Sequence, residues 1–436
     1  MKRIYCDPNY CVNCHLCMIN CILVHSPVDD LISAYRERNP DEPARLVVEE
    51  QYPVSFAVQC RHCDDPFCVT ACLTGAVTDL HMLYRPSRFY DGHRVNLLLG
   101  RKAVRLEPSA AAVELDTGER LKYDRLLLAC GGRPIIPPGL ENVPYHTFHT
   151  WEDVRRLAAE IRSRAPGQSA LVIGGGLVGM KAAESLRLLG IEVTVVDLAN
   201  RLLSSILTLS AGKFLEDLIS TDAGLHLYLN TTATELRLAG DKIEAKIMGT
   251  RMRFDHLIVA IGVRPNLELC QGISINTNKG IIVDEHMRTN LPSVYAAGDL
   301  VESIEPVSGE SRLTGILPSA AYQGRVAGAA MAGAAESSKP HTIFNSLSIF
   351  NHSLVTIGLT TADADSVTDI DGFSKYRQFF YTNQRLCGVI LIDQPERSGI
   401  YRYIIENKVE LKSAQLFEPK LISLPQSLRQ SLGIAV

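Results

Sequence analysis

The chain has 436 residues, 46% apolar and 21% charged, with a formal net charge of −4; that length suits about two to four domains. This charge balance gives no reason to expect nucleic acid or an anionic membrane as a partner, and no run of about 18 apolar residues is present to span a bilayer. The opening MKRIYCDPNYC does not have the form of a secretory signal.

Nine of the twelve cysteines fall in the first 72 residues. They are grouped as metal ligands rather than scattered as disulfide partners, which points to a cytoplasmic, reducing and anaerobic setting. Cys11, Cys14, Cys17 and Cys21 spell C-x2-C-x2-C-x3-C, and Cys60, Cys63, Cys68 and Cys72 spell C-x2-C-x4-C-x3-C. In the first spacing three thiolates on a tight turn grip one cubane and the fourth reaches a different cluster. Eight ligands then predict two [4Fe-4S] clusters. Zinc is the competing reading, because C-x2-C pairs also build zinc sites; four closely spaced cysteines in a row fit it less well. His15 and His62 lie inside the motifs and read as donors beside a thiolate, and Cys6 lies outside the spacing and reads as buried.

Residues 1–78, above all QCRHCDDPFCVTACLTGAVT, resemble the iron–sulfur electron-transfer subunit that partners carbon monoxide dehydrogenase. They are also similar to the polyferredoxin subunits of formate dehydrogenases and hydrogenases. Such relatives carry four cysteine motifs and two are present here, so the resemblance implies half of a polyferredoxin over residues 1–80. It implies as partner a low-potential redox protein such as carbon monoxide dehydrogenase, formate dehydrogenase or ferredoxin.

Further along, LKYDRLLLACGGRP (Leu121–Pro134) and MRFDHLIVAIGVRP (Met252–Pro265) align without a gap. Each marks the strand that closes a dinucleotide-binding domain after a hairpin, and Asp116-Thr117-Gly118 supplies the turn of the first hairpin. The chain resembles the flavin-dependent pyridine-nucleotide reductases, of the rubredoxin-reductase and nitrite-reductase kind, from about Tyr84 to Lys412. That resemblance implies an FAD-binding domain over 81–150 and 260–335. Gly131 and Arg133 match the turn beneath the dinucleotide. Gly298 and Asp299, in VYAAGD, match the strand whose terminal aspartate hydrogen-bonds the ribityl chain, and Ala321 matches the helix start aimed at the flavin pyrimidine edge. A helix N-cap is the bland alternative for Asp299.

One half of that flavin domain is missing from the pattern. No glycine precedes Gly75, and none of Gly75, Gly92, Gly100 and Gly118 forms a G-x-G, so the βαβ unit that should hold the ADP half of FAD has no sequence counterpart. An internal loss between about Val77 and Leu83 accounts for this; the alternative is that a partner supplies the unit.

Residues 151–259 read as an intact NAD-binding domain. Thr150-Trp151-Glu152-Asp153 has the form of a capping box opening a helix to about Arg164, which Pro166-Gly167 ends. The apolar run Leu171–Ile173 then meets Gly174, Gly176 and Gly179 in G-x-G-x-x-G order, followed by a helix with apolar Val178, Ala182, Leu186 and Leu189 and a strand ending in Asp197. The glycines allow a tight turn, close approach to a pyrophosphate and close helix–strand packing. Asp197 stands where an acid accepts hydrogen bonds from a ribose 2′-OH and repels a 2′-phosphate, so NAD(H) is favoured over NADP(H). Gly262 closes the same domain. Lys181 stands where many relatives have Glu near the nicotinamide, with a solvent-facing helix lysine as the bland alternative.

Beyond the flavin signatures, residues 340–415 alternate apolar and polar positions before a short helix and resemble the C-terminal interface domain of these reductases, which in relatives packs near the flavin and sometimes dimerises. Residues 416–436 read as a surface tail. Cys130, Cys270 and Cys387 are isolated, which does not support a disulfide-reductase cycle. The expected fold is α/β multidomain: a ferredoxin-like iron–sulfur segment, a truncated FAD domain, an intact Rossmann-like NAD domain and a small α+β C-terminal unit. The expected function is electron transfer between NAD(H), a flavin and [4Fe-4S] clusters. The alternatives are a flavin-deficient remnant that only binds NAD or carries electrons, and a zinc-stabilised interaction module.

Overall fold

A computed structural model describes residues 87–409, except 306, 335–341, 361–364, 372–374, 384 and 396–397, together with four short strands within residues 1–86. The eight motif cysteines, His15, His62, most of the proposed junction at 77–83 and the 416–436 tail lie outside the described residues. Of the amino-terminal segment, strand β1 (Ile4–Cys6) pairs antiparallel with β4 (Val77–Asp79), while β2 (Val47–Gln51) and β3 (Val54–Val58) form an antiparallel pair between them.

A short helix, α1 (Ser87–Gly92), leads to an antiparallel meander of β5 (Ala103–Glu107), β6 (Ala112–Leu115) and β7 (Arg120–Lys122). The β6–β7 turn falls on Asp116-Thr117-Gly118 as the composition requires, and Gly118 takes φ +82°, a left-handed conformation costly for other residues. Strand β8 (Leu126–Leu128) follows, then β9 (Gly132–Pro134).

Helix α2 (Trp151–Ser163) carries the expected capping box at its start. It leads into the parallel strands β10 (Ser169–Ile173), β11 (Glu192–Val196) and β12 (Leu225–Tyr228), with α3 (Leu177–Leu188) and α4 (Leu209–Ile219) as crossovers. An antiparallel meander, β13 (Thr234–Ala239), β14 (Lys242–Ile247) and β15 (Thr250–Phe254), precedes β16 (His256–Val259), which returns to the parallel sheet in the order β12-β11-β10-β16. Strand β10 shows why both layers exist. Ala170 and Val172 belong to the core beneath the helices, with Met180, Leu186 and Leu215, whereas Leu171 and Ile173 belong to the core beneath the meander, with Ile243 and Phe254. A strand buried on both faces reads as a continuous apolar run, as SALVI does.

Along α3 the buried residues are Gly179, Met180, Ala182, Ala183 and Leu186, while Val178 and Leu189 are 39% and 53% exposed. The expected apolar stripe is therefore rotated: Gly179 must face the strand, and Val178 turns away from it.

The chain then forms β17 (Val263–Pro265), β18 (Ile281–Ile282), β19 (Val294–Ala296), β20 (Val301–Ile304), β21 (Ser311–Leu313) and α5 (Leu317–Met331). Strand β19 pairs parallel with β8, and among the described residues this flavin-side sheet has those two strands, against four on the nucleotide side. The last unit is an antiparallel five-stranded sheet of β22 (Phe344–Ile349), β23 (His352–Gly358), β24 (Asp365–Asp371), β25 (Lys375–Thr382) and β26 (Arg385–Ile392), covered by α6 (Ser398–Glu406) through Tyr401, Ile404 and Ile405. Its other face packs on the nucleotide-binding unit. Tyr376, Phe380 and Ile390 join the core of Leu186, Leu207 and Leu215, so the sheet rests on the helical side of the nucleotide-binding unit. No helix among the described residues is long and apolar enough to cross a membrane.

Candidate dinucleotide sites

The order β12-β11-β10-β16 puts the topological switch point between β10 and β16, where a crevice opens beyond the strand ends. The glycine turn sits there and is built against the end of β16. Gly174 has φ +112°, and a Cβ on it would stand 2.4 Å from the Ala260 carbonyl oxygen. A Cβ on Gly179 would stand closer still to the Gly174 carbonyl. Around Gly176, the N-cap of α3, a Cβ would meet nothing within 4 Å. Two glycines therefore pack backbone on backbone, and the third borders open space at a helix N-terminus, where free N–H groups and the dipole favour an anion. These residues fit a dinucleotide pyrophosphate.

Asp197, at the end of β11, is half-buried, and its carboxylate accepts from the Gly175 N–H at 2.5 Å and the Ala199 N–H at 2.7 Å. The acid expected to read the ribose thus also holds the glycine turn in place. Two carboxylate oxygens carry about four lone-pair sites, so capacity for a diol remains.

The two repeat segments meet in space. Strands β9 and β17 pair antiparallel with Arg133 opposite Arg264, and the Ile135 N–H donates to the Gly262 carbonyl at 2.9 Å. Gly131 and Gly262 take φ +62° and +121°, and a Cβ on Gly132 would stand 2.6 Å from Val263 Cγ1. Arg133 does not reach freely toward a cofactor; its guanidinium pairs with Glu268. In the second repeat Asp255 accepts from the Ser169 N–H at 2.9 Å and its hydroxyl at 3.1 Å, tying the starts of β10 and β16 together.

On the flavin side Gly298 has φ +85°, and its N–H donates to Gln323 Oε1 at 2.8 Å. Gln323 is 2% exposed, and nothing in the local pattern singles it out. Asp299 is not a helix cap: it lies in a turn before β20, and Ile316 is the N-cap of α5. Ala321 lies in the second turn of α5, half-buried. Gly298, Asp299 and the start of α5 fit the isoalloxazine and ribityl end of a flavin.

Lys181 is not solvent-facing. Its ammonium pairs with Glu184 and donates to the Ser348 carbonyl at 2.9 Å, and Glu184 accepts from the Phe350 N–H at 2.8 Å. The pair therefore bolts α3 to the C-terminal sheet. Cys130 and Cys270, distant in sequence, are neighbours: burial, with the charge a Cys130 thiolate would carry, pushes Cys270 up to about 11. Burial also raises Cys130, partly offset by the backbone hydrogen bond at Ala129. Protonated thiols are poor nucleophiles, so burial works against activating either one; the fold nonetheless brings together two cysteines that read as isolated in the sequence.

The cap of α2 gives a measurable consequence. Burial disfavours the Asp153 carboxylate, but hydrogen bonds from the Thr150 N–H, the Thr147 hydroxyl, Arg156 and the His149 N–H outweigh it, and the group is held well below the usual carboxylate range. A depressed carboxyl contributes stability that is present above its unfolded value, about 3.9, and lost as pH falls below it. Asp153→Asn should cost about 0.5–2 kcal/mol at pH 7, with the gap to wild type closing as pH falls through 4 toward 2. Urea midpoints across pH check this; a gap that stays constant would contradict it.

Fold and site together define a pyridine-nucleotide-binding α/β oxidoreductase with paired dinucleotide turns. The chain belongs to the pyridine nucleotide-disulphide oxidoreductase family, which it matches over residues 42–321, a span that takes in the second cysteine motif. It is 28% identical over 393 residues to the epsilon subunit of NADH-dependent phenylglyoxylate dehydrogenase from Aromatoleum evansii, covering 88% of this chain and 90% of that one. It is 30% identical to rhodocoxin reductase from Rhodococcus erythropolis, covering 76% and 78%. In fold it resembles a ferredoxin reductase from Rhodopseudomonas palustris, with a TM-score of 0.71 at 23% identity, covering 78% of this chain and 85% of that one.

Proposed function

We propose that this chain moves electrons between NAD(H) and one-electron carriers through a bound flavin. The observation that carries this is the meeting of the two repeat turns through β9 and β17 beside a glycine turn built against Ala260. Gly174, Gly176 and Gly179 would cradle the NAD pyrophosphate, Asp197 would take the ribose diol and select NAD(H) over NADP(H), and Gly262 would close that pocket. Gly131, Gly298, Asp299 and Ala321 would hold FAD, with Arg133 bracing the turn beneath it through Glu268. A flavin supplies the junction between two-electron and one-electron chemistry; the chain would orient both dinucleotides for it.

The partners follow from the cysteines. Cys11, Cys14, Cys17, Cys21, Cys60, Cys63, Cys68 and Cys72 would bind [4Fe-4S] clusters, and the β1–β4 pairing supports a unit that closes on itself, since all eight lie between Cys6 and Val77, which are paired. A low-potential protein such as carbon monoxide dehydrogenase, formate dehydrogenase or a ferredoxin would exchange electrons there; rhodocoxin reductase and the ferredoxin reductases are relatives of that kind. The C-terminal unit is proposed to take part in a homodimer, and the cytoplasm is the proposed compartment.

A second reading has one observation behind it. With two strands on the flavin side among the described residues and no G-x-G before Gly174, the first βαβ of the FAD domain would be lost near 77–83, leaving a flavin-deficient iron–sulfur and NAD-binding protein. Anaerobic purification of the full chain, with iron, zinc and flavin determined per chain and NADH-driven reduction of a viologen dye, separates the readings. Iron and stoichiometric FAD with dye reduction support the first; iron and NADH binding without flavin support the second; zinc without iron and no dye reduction would sink both electron-transfer readings.

A further inference from the structure

Apart from the dinucleotide turns, the strap of residues 143–149 brings three metal-ligating side chains together where it crosses the nucleotide unit. We propose that His146, Glu160 and His256 form a divalent transition-metal site, with zinc as the metal whose chemistry fits, pinning α2 and the strap to the start of β16.

The hydrogen bonds fix where the lone pairs are. The Gln168 amide nitrogen donates to the carbonyls of Ile161 at 2.9 Å and Ala165 at 3.0 Å, so its oxygen faces His256 Nε2, 2.6 Å away. Nε2 must then carry the proton, and Nδ1 presents a bare lone pair. That atom is buried without a hydrogen-bond partner, on a residue 1% exposed, and it lies 3.4 Å from Glu160 Oε1. An imine lone pair facing a carboxylate oxygen is two acceptors with nothing to share, an arrangement that only a positive centre between them relieves.

The third ligand is already in place. His146 Nε2 lies 3.0 Å from Glu160 Oε2, and the three ligand atoms fall within 4.8 Å of one another. Bonds of about 2.0–2.2 Å in a tetrahedron put ligand atoms roughly 3.3 Å apart. Glu160, 34% exposed at its side chain, can close that difference by rotating. Arg164 also donates to Glu160 Oε1, at 2.8 Å, but leaves the His256 lone pair unmet. A proton on Nδ1 is the rival occupant, and the zinc content measured below separates the two. Two imidazoles and a carboxylate suit zinc rather than calcium or magnesium, which take oxygen ligands. The fourth position falls to water, and the Gln168 contact is the outer hydrogen bond that orients a metal-bound imidazole.

The strap gives the site a purpose. The His146 N–H donates to the Leu257 carbonyl at 2.8 Å, its carbonyl accepts from Val259 at 2.9 Å, and His149 Nε2 sits 3.2 Å from the Gly132 carbonyl. A metal at His146 would therefore stiffen the connection between the two turns.

The test uses the full chain, chelator-treated and equilibrated with zinc, beside His146→Ala, Glu160→Gln and His256→Gln. Zinc and iron per chain are read by mass spectrometry and thermal midpoints with and without zinc by calorimetry. Wild type should hold about one zinc more per chain than each variant, and zinc should raise its midpoint by roughly 5 °C and theirs by less. Zinc bound by the amino-terminal cysteines is common to all four proteins and cancels. Equal zinc content and equal midpoint response in wild type, His146→Ala and Glu160→Gln would overturn the site, and those two half-exposed positions decide the matter should His256→Gln fail to fold.

Discussion

Gly179→Ala is expected to abolish NADH-dependent reduction and to lower stability by about 2–4 kcal/mol. The added methyl would fall far inside the contact distance to the Gly174 carbonyl oxygen, which is backbone and cannot rotate away as a side chain would. Relief requires α3 to lift from β10, and α3 carries Met180, Ala183 and Leu186 in the main core. Overpacking of this kind costs about 1–3 kcal/mol where neighbours can shift, and more where they cannot. Lifting α3 also moves its free N–H groups from the space beside Gly176. NADH affinity should therefore fall by more than about 100-fold, roughly 3 kcal/mol of lost positioning. Titration of NADH fluorescence and urea unfolding read the two effects separately. Gly176→Ala is the internal control: its Cβ meets nothing within 4 Å, so it should unfold at nearly the wild-type midpoint while still weakening NADH. Wild-type affinity in Gly179→Ala would mean that the nucleotide binds elsewhere.

How much of this could be read beforehand depends on the range of each interaction. The glycine turn, the α2 capping box and the Asp116-Thr117-Gly118 hairpin are set by residues within a few positions of one another, and the structure has them where the sequence put them. The repeat was legible as two closing strands, but its pairing of Arg133 with Arg264 across β9 and β17 is a contact between segments some 130 residues apart. No local pattern carries that information. The same limit hid Ala260 as the floor of the turn and Gln323 as the partner of Gly298. Lys181 reads as a surface residue because a helical period places it half out of the core; the acceptor that claims it, Ser348, arrives from another unit. Val178 was misplaced for a related reason. An apolar count along α3 cannot tell that Gly179, having no side chain, defines the buried face.

Asp197→Ala should separate the duty the carboxylate performs in the turn from the one proposed for it at the ribose. Its oxygens accept from the Gly175 and Ala199 amides at 2.5 and 2.7 Å, so removing them leaves two N–H groups without their partner beside the glycine turn. A hydrogen bond to a charged group contributes about 1.5–3 kcal/mol, and under the proposed function the ribose diol would add a further contact of that kind. NADH affinity should fall by about 10–100-fold. NADPH binding should weaken far less or improve, because the repulsion of a 2′-phosphate is removed with the charge. The ratio of kcat/KM for the two nucleotides is the decisive reading. Asp197→Asn refines it: the amide oxygen can keep one of the two backbone hydrogen bonds while the charge is gone. If selection is electrostatic, Asn and Ala should relax it alike, while Ala, which loses both backbone hydrogen bonds, should lower the urea midpoint more than Asn, which loses one. If both variants kept the wild-type preference for NADH, Asp197 would be a brace for the turn alone, and discrimination would have to come from residues 198–204, the segment that follows it.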